Sequence, residues 1–87
     1  MTPLDARIVR IMSRTAMIPE SQLTPDCKLA QLGIGSLEQI ECVLSLEDEL
    51  EIEMQQGDLH RLQTVQDVFD AVRHAYDGRG PSEDAGL

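Results

Sequence analysis

Among the 87 residues of this chain, Ser36 is the side chain whose setting most suggests chemistry. It follows Gly33-Ile34-Gly35 and opens a long acidic stretch, so its hydroxyl stands between flexible glycines and a helix start. A nucleophilic serine of the hydrolase type needs a histidine base held by a third group. Neither His60 nor His74 lies near Ser36 in sequence, and each reads as an isolated surface residue. Cys27 and Cys42 form no metal-binding or redox spacing. Cys42 reads as a small core residue and Cys27 as a loop residue. No paired acid and base, metal cluster or phosphate loop is visible, so no catalytic residue and no metal ligand is assigned, and an independent enzyme is not expected. Two readings of Ser36 remain. Ser36-Leu37-Glu38-Gln39 matches an S-x-x-Q capping box; alternatively, the hydroxyl is an acceptor that another enzyme modifies.

The elements that must position Ser36 follow from periodicity and caps. Thr2-Pro3-Leu4-Asp5 reads as a helix start, with Thr2 as N-cap, Pro3 at the first helical position and Asp5 closing a capping box. Leu4, Ile8, Ile11 and Met12 recur at helical spacing, Arg7, Arg10 and Arg14 form another stripe, and the pattern fades by Met17-Ile18-Pro19. Residues 19–35 carry two prolines, two glycines and no sustained period. Leu23, Leu29, Leu32 and Ile34 within them predict a long connector packed onto the core with a short helical turn. A second helix is expected from Ser36 to about Leu50 or Glu51. Gln55-Gln56-Gly57 breaks it, and Asp58 to Leu62 reads as one short turn with Leu59 and Leu62 inward. Thr64-Val65-Gln66-Asp67 is another capping box, and Val65, Val68, Phe69, Val72 and Tyr76 continue an amphipathic helix that Gly78 ends. The expected fold is all-α, with three main helices, one short helix and a long loop between the first two. Residues 1–77 are expected to form the domain, and 78–87, polar with glycine and proline, a disordered tail.

The second helix has more apolar surface than one buried stripe requires. At 100° per residue, Cys42, Val43, Leu46 and Leu50 share one side, while Leu37, Ile40 and Leu44 share the other with Glu41 and Asp48. The first group continues toward Met54 and makes the better core stripe. That leaves Leu37, Ile40 and Leu44 as an apolar patch ringed by Glu38, Glu41, Glu47 and Asp48. An apolar centre with a charged rim is the anatomy of a transient docking site. Acids near a helix C-terminus oppose the helix dipole, so the run Glu47-Asp48-Glu49 is not optimised for helix stability alone.

Composition bounds the partners. The formal net charge is −9, which argues against nucleic acid, whose phosphates demand Lys and Arg, and against an anionic membrane surface. It favours partners with basic patches. With no Trp, one Tyr and one Phe, the core must be aliphatic. No signal peptide or bilayer-spanning apolar run is seen, and a cytoplasmic monomer is expected.

The segment Leu32-Gly33-Ile34-Gly35-Ser36-Leu37-Glu38 resembles the LG-x-DSL stretch of acyl carrier proteins. The similarity extends from about Leu4 to Tyr76. It takes in the Thr-Pro loop, the L-x-x-L-E-D-E-L-like acidic helix and the Thr64-Val65-Gln66-Asp67 helix start. The resemblance implies a four-helix bundle whose Ser36 carries a 4'-phosphopantetheine arm, placed there from coenzyme A by a phosphopantetheinyl transferase. The arm's thiol would hold an acyl, aminoacyl or peptidyl group as a thioester. Activating ligases and downstream transferases or synthases would dock on the second helix through Leu37, Glu38, Ile40, Glu41, Leu44, Glu47 and Asp48.

Two departures from the family pattern stand out. Gly35 occupies the place of an aspartate that, in the family, caps the helix and assists the transferase. Its loss would slow modification, demand a specialised transferase, or leave Ser36 unmodified and the chain a docking module of the same fold. Ile34, Leu59 and Val68 match positions where fatty-acid carriers keep small residues around a cleft. The expectation is a free-standing carrier of short, polar or aminoacyl cargo in a specialised pathway, with polyketide, peptidyl and aminoacyl roles all open.

Overall fold

In the computed structural model, the backbone is described for residues 2–85 and the side chains for residues 2–77. Four α-helices follow in order: α1 (Pro3–Ala16), α2 (Ser36–Leu50), α3 (Gln56–Leu59) and α4 (Val65–Ala85). No strand occurs among the described residues; one isolated antiparallel bridge joins Lys28 to Thr64. The all-α expectation holds.

α1 begins as its sequence dictates. The Thr2 hydroxyl oxygen accepts from the Asp5 N–H at 3.1 Å, and the Asp5 carboxylate accepts from the Thr2 N–H at 3.4 Å. Pro3 loses nothing at the first turn, where its missing N–H would have no helical partner. Asp5 also has a second task. The guanidinium of Arg73 donates to both Asp5 oxygens at 2.8 Å, tying the start of α1 to α4 over 68 residues of chain. Asp5 is the buried charged residue of the core, and this paired, hydrogen-bonded geometry is what such burial requires.

The connector between α1 and α2 contains two short 3-10 turns, Glu20–Gln22 and Leu29–Leu32. Leu23, Leu29 and Ile34 are fully buried, which anchors the connector to the core. Its backbone is stitched to the start of α4: Leu29 N–H donates to the Gln63 carbonyl at 2.8 Å, Val65 N–H to Cys27 at 3.1 Å and Gln66 N–H to Pro25 at 2.8 Å. Gly33 ends the second turn at φ +78°, a left-handed conformation that a glycine takes without steric cost. The connector therefore sets where α2 begins.

The core is aliphatic around one ring, Phe69, with Ile8, Met12, Leu46, Val65 and Val72 completely enclosed. α4 starts with Thr64 and Asp67 in a reciprocal cap. Burial raises the Asp67 pKa, but the N–H groups of Gln63 and Thr64 and the Thr64 side chain outweigh it, and the carboxyl ends below its ordinary value.

Two boundaries differ from the sequence reading. α3 lies at Gln56–Leu59 instead of Asp58 to Leu62, because Gln55 already caps it through its carbonyl, which accepts from Asp58 and Leu59. Gly57 falls in the first turn of this helix and does not break it. α4 continues past Gly78 to Ala85. Gly78 by itself costs a helix about 1 kcal/mol relative to alanine and does not force a stop, and the helix also runs through Gly80 and Pro81. The side chains of the expected tail, 78–87, lie outside the described residues.

Candidate functional site

The site is built on the first three turns of α2. Gly35 is its N-cap, in extended conformation, and Ser36 occupies the first helical position. The S-x-x-Q box expected with Ser36 as cap is thus displaced by one residue. Gly35 has no side chain to cap with, so only the reverse half of a box forms: Glu38 Oε1 accepts from the Gly35 N–H at 3.0 Å. A carboxylate accepts more strongly than the Gln39 amide would and also favours the positive end of the helix, which selects the G-x-x-E frame over S-x-x-Q. The consequence is that the Ser36 hydroxyl is released from capping. It is exposed and makes no hydrogen bond among the described residues.

Glycine at position 35 also fits Glu38. A Cβ there would stand 3.2 Å from Glu38 Oε1, so an L side chain would push the carboxylate outward.

The two faces of α2 separate as its periodicity demands. Cys42, Leu46 and Leu50 are buried and Val43 half-buried. Leu37, Ile40 and Leu44 are 64%, 56% and 60% exposed. The acids around them differ in freedom. Glu41 and Asp48 are exposed with no partner among the described residues, whereas Glu38 holds Gly35 and Glu47 Oε2 accepts from the Met54 N–H at 2.9 Å. That last bond pins the chain as it leaves α2, just after Glu51 reverses it at φ +54°. Arg14 pairs with Glu49, holding α1 beside α2. On the buried face, desolvation pushes the Cys42 thiol up to about 11, with Glu41 and Glu38 adding to it, so Cys42 is an inert core thiol.

Beside Ser36 runs an open groove of about 820 Å³ between α2 and α3. Ile40, Val43 and Leu44 form its α2 wall, and Gln56, Leu59 and His60 stand opposite, with Met54 and Leu62 on the floor. A small void lies in the core behind it. The void enclosed by Met12, Leu29, Ile34, Cys42, Leu46 and Val68 measures about 10 Å³, around the minimum for one water. Ile34 and Val68 therefore fill the core, as their bulk predicts, while Leu59 lines the surface groove.

Sequence reasoning missed the groove, because its outer wall is a four-residue helix with no periodicity to detect. It also treated His74 as isolated. His74 Nδ1 lies 2.6 Å from Asp58 Oδ2, an approach across 16 residues that no local pattern signals. His60 is exposed at the groove rim. No group of three or more His, Cys, Asp or Glu suited to a metal ion occurs among the described residues. No helix among them is long and apolar enough to cross a membrane.

A small helical bundle that offers one uncommitted hydroxyl at a helix tip, with an apolar, acid-fringed face alongside, is a presenting module. A family model described as the phosphopantetheine attachment site matches residues 6–72, and the chain belongs to that family. It is a carrier protein for 4'-phosphopantetheine, of a kind that works with transferases and synthases and is generally non-catalytic. The residues present fit that group. An exposed serine oxygen at the first position of a helix meets the helix's positive end, which favours a phosphodiester, and the adjoining groove has room for an extended chain.

Proposed function

We propose that Ser36 is the attachment point of the phosphopantetheine arm and that partner enzymes dock on the exposed face of α2. The observation that carries this is the freedom of the Ser36 hydroxyl at the first position of α2, where Gly35 has taken over the cap. When bound, the group supplies a terminal thiol that holds cargo as a thioester. The chain's own residues do the rest. The α2 N-terminus stabilises the negative charge at the tether, and the groove walls, Ile40, Val43, Leu44 and Leu59, offer apolar cover to what hangs from it.

Docking relies on Leu37, Ile40 and Leu44 for contact and on Glu41 and Asp48, with Glu38 and Glu47, for steering. A patch this small leaves little net binding energy after the cost of association, so partners arrive fast and leave fast. A carrier that must visit a transferase, an activating ligase and downstream synthases in turn needs that behaviour. The small size of the void beside Ile34 and Val68 supports short, polar or aminoacyl cargo lying in the groove over a long chain threaded into the core. Residues 1–77 suffice for this work.

Gly35 favours a second reading, a docking module of the same fold that is never modified. Incubation with coenzyme A and a promiscuous transferase separates the two by intact mass. A gain of one phosphopantetheine that vanishes in Ser36→Ala supports the carrier; no gain with any transferase supports the docking module.

A further inference from the structure

α3 forms much of the outer wall of the groove, yet little holds it. Four residues are too few for a helix to be stable by itself, and Gly57 within them has open space where a Cβ would stand. Its backbone hydrogen bonds are local, from Asp58, Leu59, His60 and Arg61 back to Gln55, Gln56 and Asp58. Leu59 and Leu62 are half-buried. Among the described residues, the side-chain hydrogen bond from α3 to another helix is the 2.6 Å contact between Asp58 and His74 of α4.

We propose that Asp58 and His74 form a latch that positions α3 and thereby sets the opening of the groove beside Ser36. Its consequence for the tethered group rests on the attachment reading above; the latch itself does not. With the contact made, Leu59 and His60 stand as the groove's outer wall. With it broken, α3 keeps only two half-buried leucines as its hold and swings outward.

Asp58, Arg61, Asp67 and Asp70 share the hollow with His74. Arg73, on the neighbouring position of α4, is engaged with Asp5 and lies 3.7 Å from Asp70. The hollow thus holds three carboxylates and one guanidinium, and Asp58 is the carboxylate that reaches the His74 ring.

Methyl relaxation dispersion of Leu59 and Leu62 in the unmodified protein reads the open population directly. His74→Ala and Asp58→Ala should each raise that population about two- to five-fold, the range expected for a partly exposed pair, and combining them should add nothing. His60→Ala, on the groove rim, should leave it unchanged. The global denaturation midpoint should barely move, since the core contacts of Phe69 and Leu46 are untouched. His74→Ala and Asp58→Ala variants whose open population matches that of the wild-type chain would overturn the latch. Intact mass after transferase treatment is read in parallel. Modification with variants that match the wild-type dispersion removes the latch alone, and a raised open population in the variants without modification removes the attachment reading alone.

Discussion

Truncating Leu37 to alanine should weaken partner binding while leaving the fold almost untouched. Leu37 is 64% exposed, so roughly two-thirds of its side chain has burial still to gain in a complex. Full burial of a leucine side chain is worth about 1.5–3 kcal/mol, so docking should gain about 1–2 kcal/mol from this residue, or roughly 5- to 30-fold in affinity. The same change at Leu46, which has no exposed surface, removes core packing and should cost about 2–5 kcal/mol of stability. A phosphopantetheinyl transferase is the convenient partner for the assay. Its KM for the Leu37→Ala carrier should rise several-fold with kcat little changed, the pattern of lost uniform binding. Urea denaturation followed by circular dichroism checks the fold, and its midpoint should move for Leu46→Ala and not for Leu37→Ala. If Leu37→Ala leaves the KM of the transferase unchanged, or shifts the denaturation midpoint as far as Leu46→Ala does, the division of α2 into a docking face and a core face is wrong.

Other consequences are independent of partners. Arg73→Ala leaves the buried Asp5 without its guanidinium and should destabilise the chain by about 2–3 kcal/mol in urea denaturation, with Arg73→Lys recovering only part because a single ammonium cannot serve Asp5 with one nitrogen while a second faces Asp70. Asp67 has a depressed carboxyl pKa, so the stability it contributes is present above the unfolded value near about 4 and is lost as pH falls through the lower folded value. Asp67→Asn should therefore flatten the stability-versus-pH curve below about pH 4, as followed by denaturation at a series of acid pH values. Iodoacetamide at mildly alkaline pH should label the half-buried Cys27 in the native protein and spare Cys42, whose thiol is held near 11; peptide mapping that finds both labelled at similar rates would contradict the buried face.

Much of the fold could be read from local signals because those signals are what build it. Thr2 and Asp5, and Thr64 and Asp67, are caps whose partners sit three residues away, and both form as their spacing requires. The two faces of α2 follow from 3.6-residue periodicity, and burial divides Leu46 from Leu44 accordingly. What was not legible depends on contacts distant in sequence or on competition between adjacent frames. Ser36 and Gly35 both make acceptable N-caps, and the choice fell to Glu38, whose carboxylate reaches the Gly35 N–H. Arg73 on Asp5 and His74 on Asp58 join residues that no window compares. The groove beside Ser36 could not be seen because α3, at four residues, has no period of its own.

The central claim, that Ser36 bears the arm, is tested most directly by locating the modification on the chain. Between Lys28 and Arg61 the sequence has no Lys or Arg, so trypsin releases Ser36 and Ser45 in one peptide, and backbone fragmentation is needed to tell them apart. Ser45 is half-buried and hydrogen-bonded to Thr15 at 3.1 Å, whereas the Ser36 hydroxyl is free. Fragment ions should place one phosphopantetheine on Ser36; its appearance on Ser45 or on any other residue would contradict the assignment.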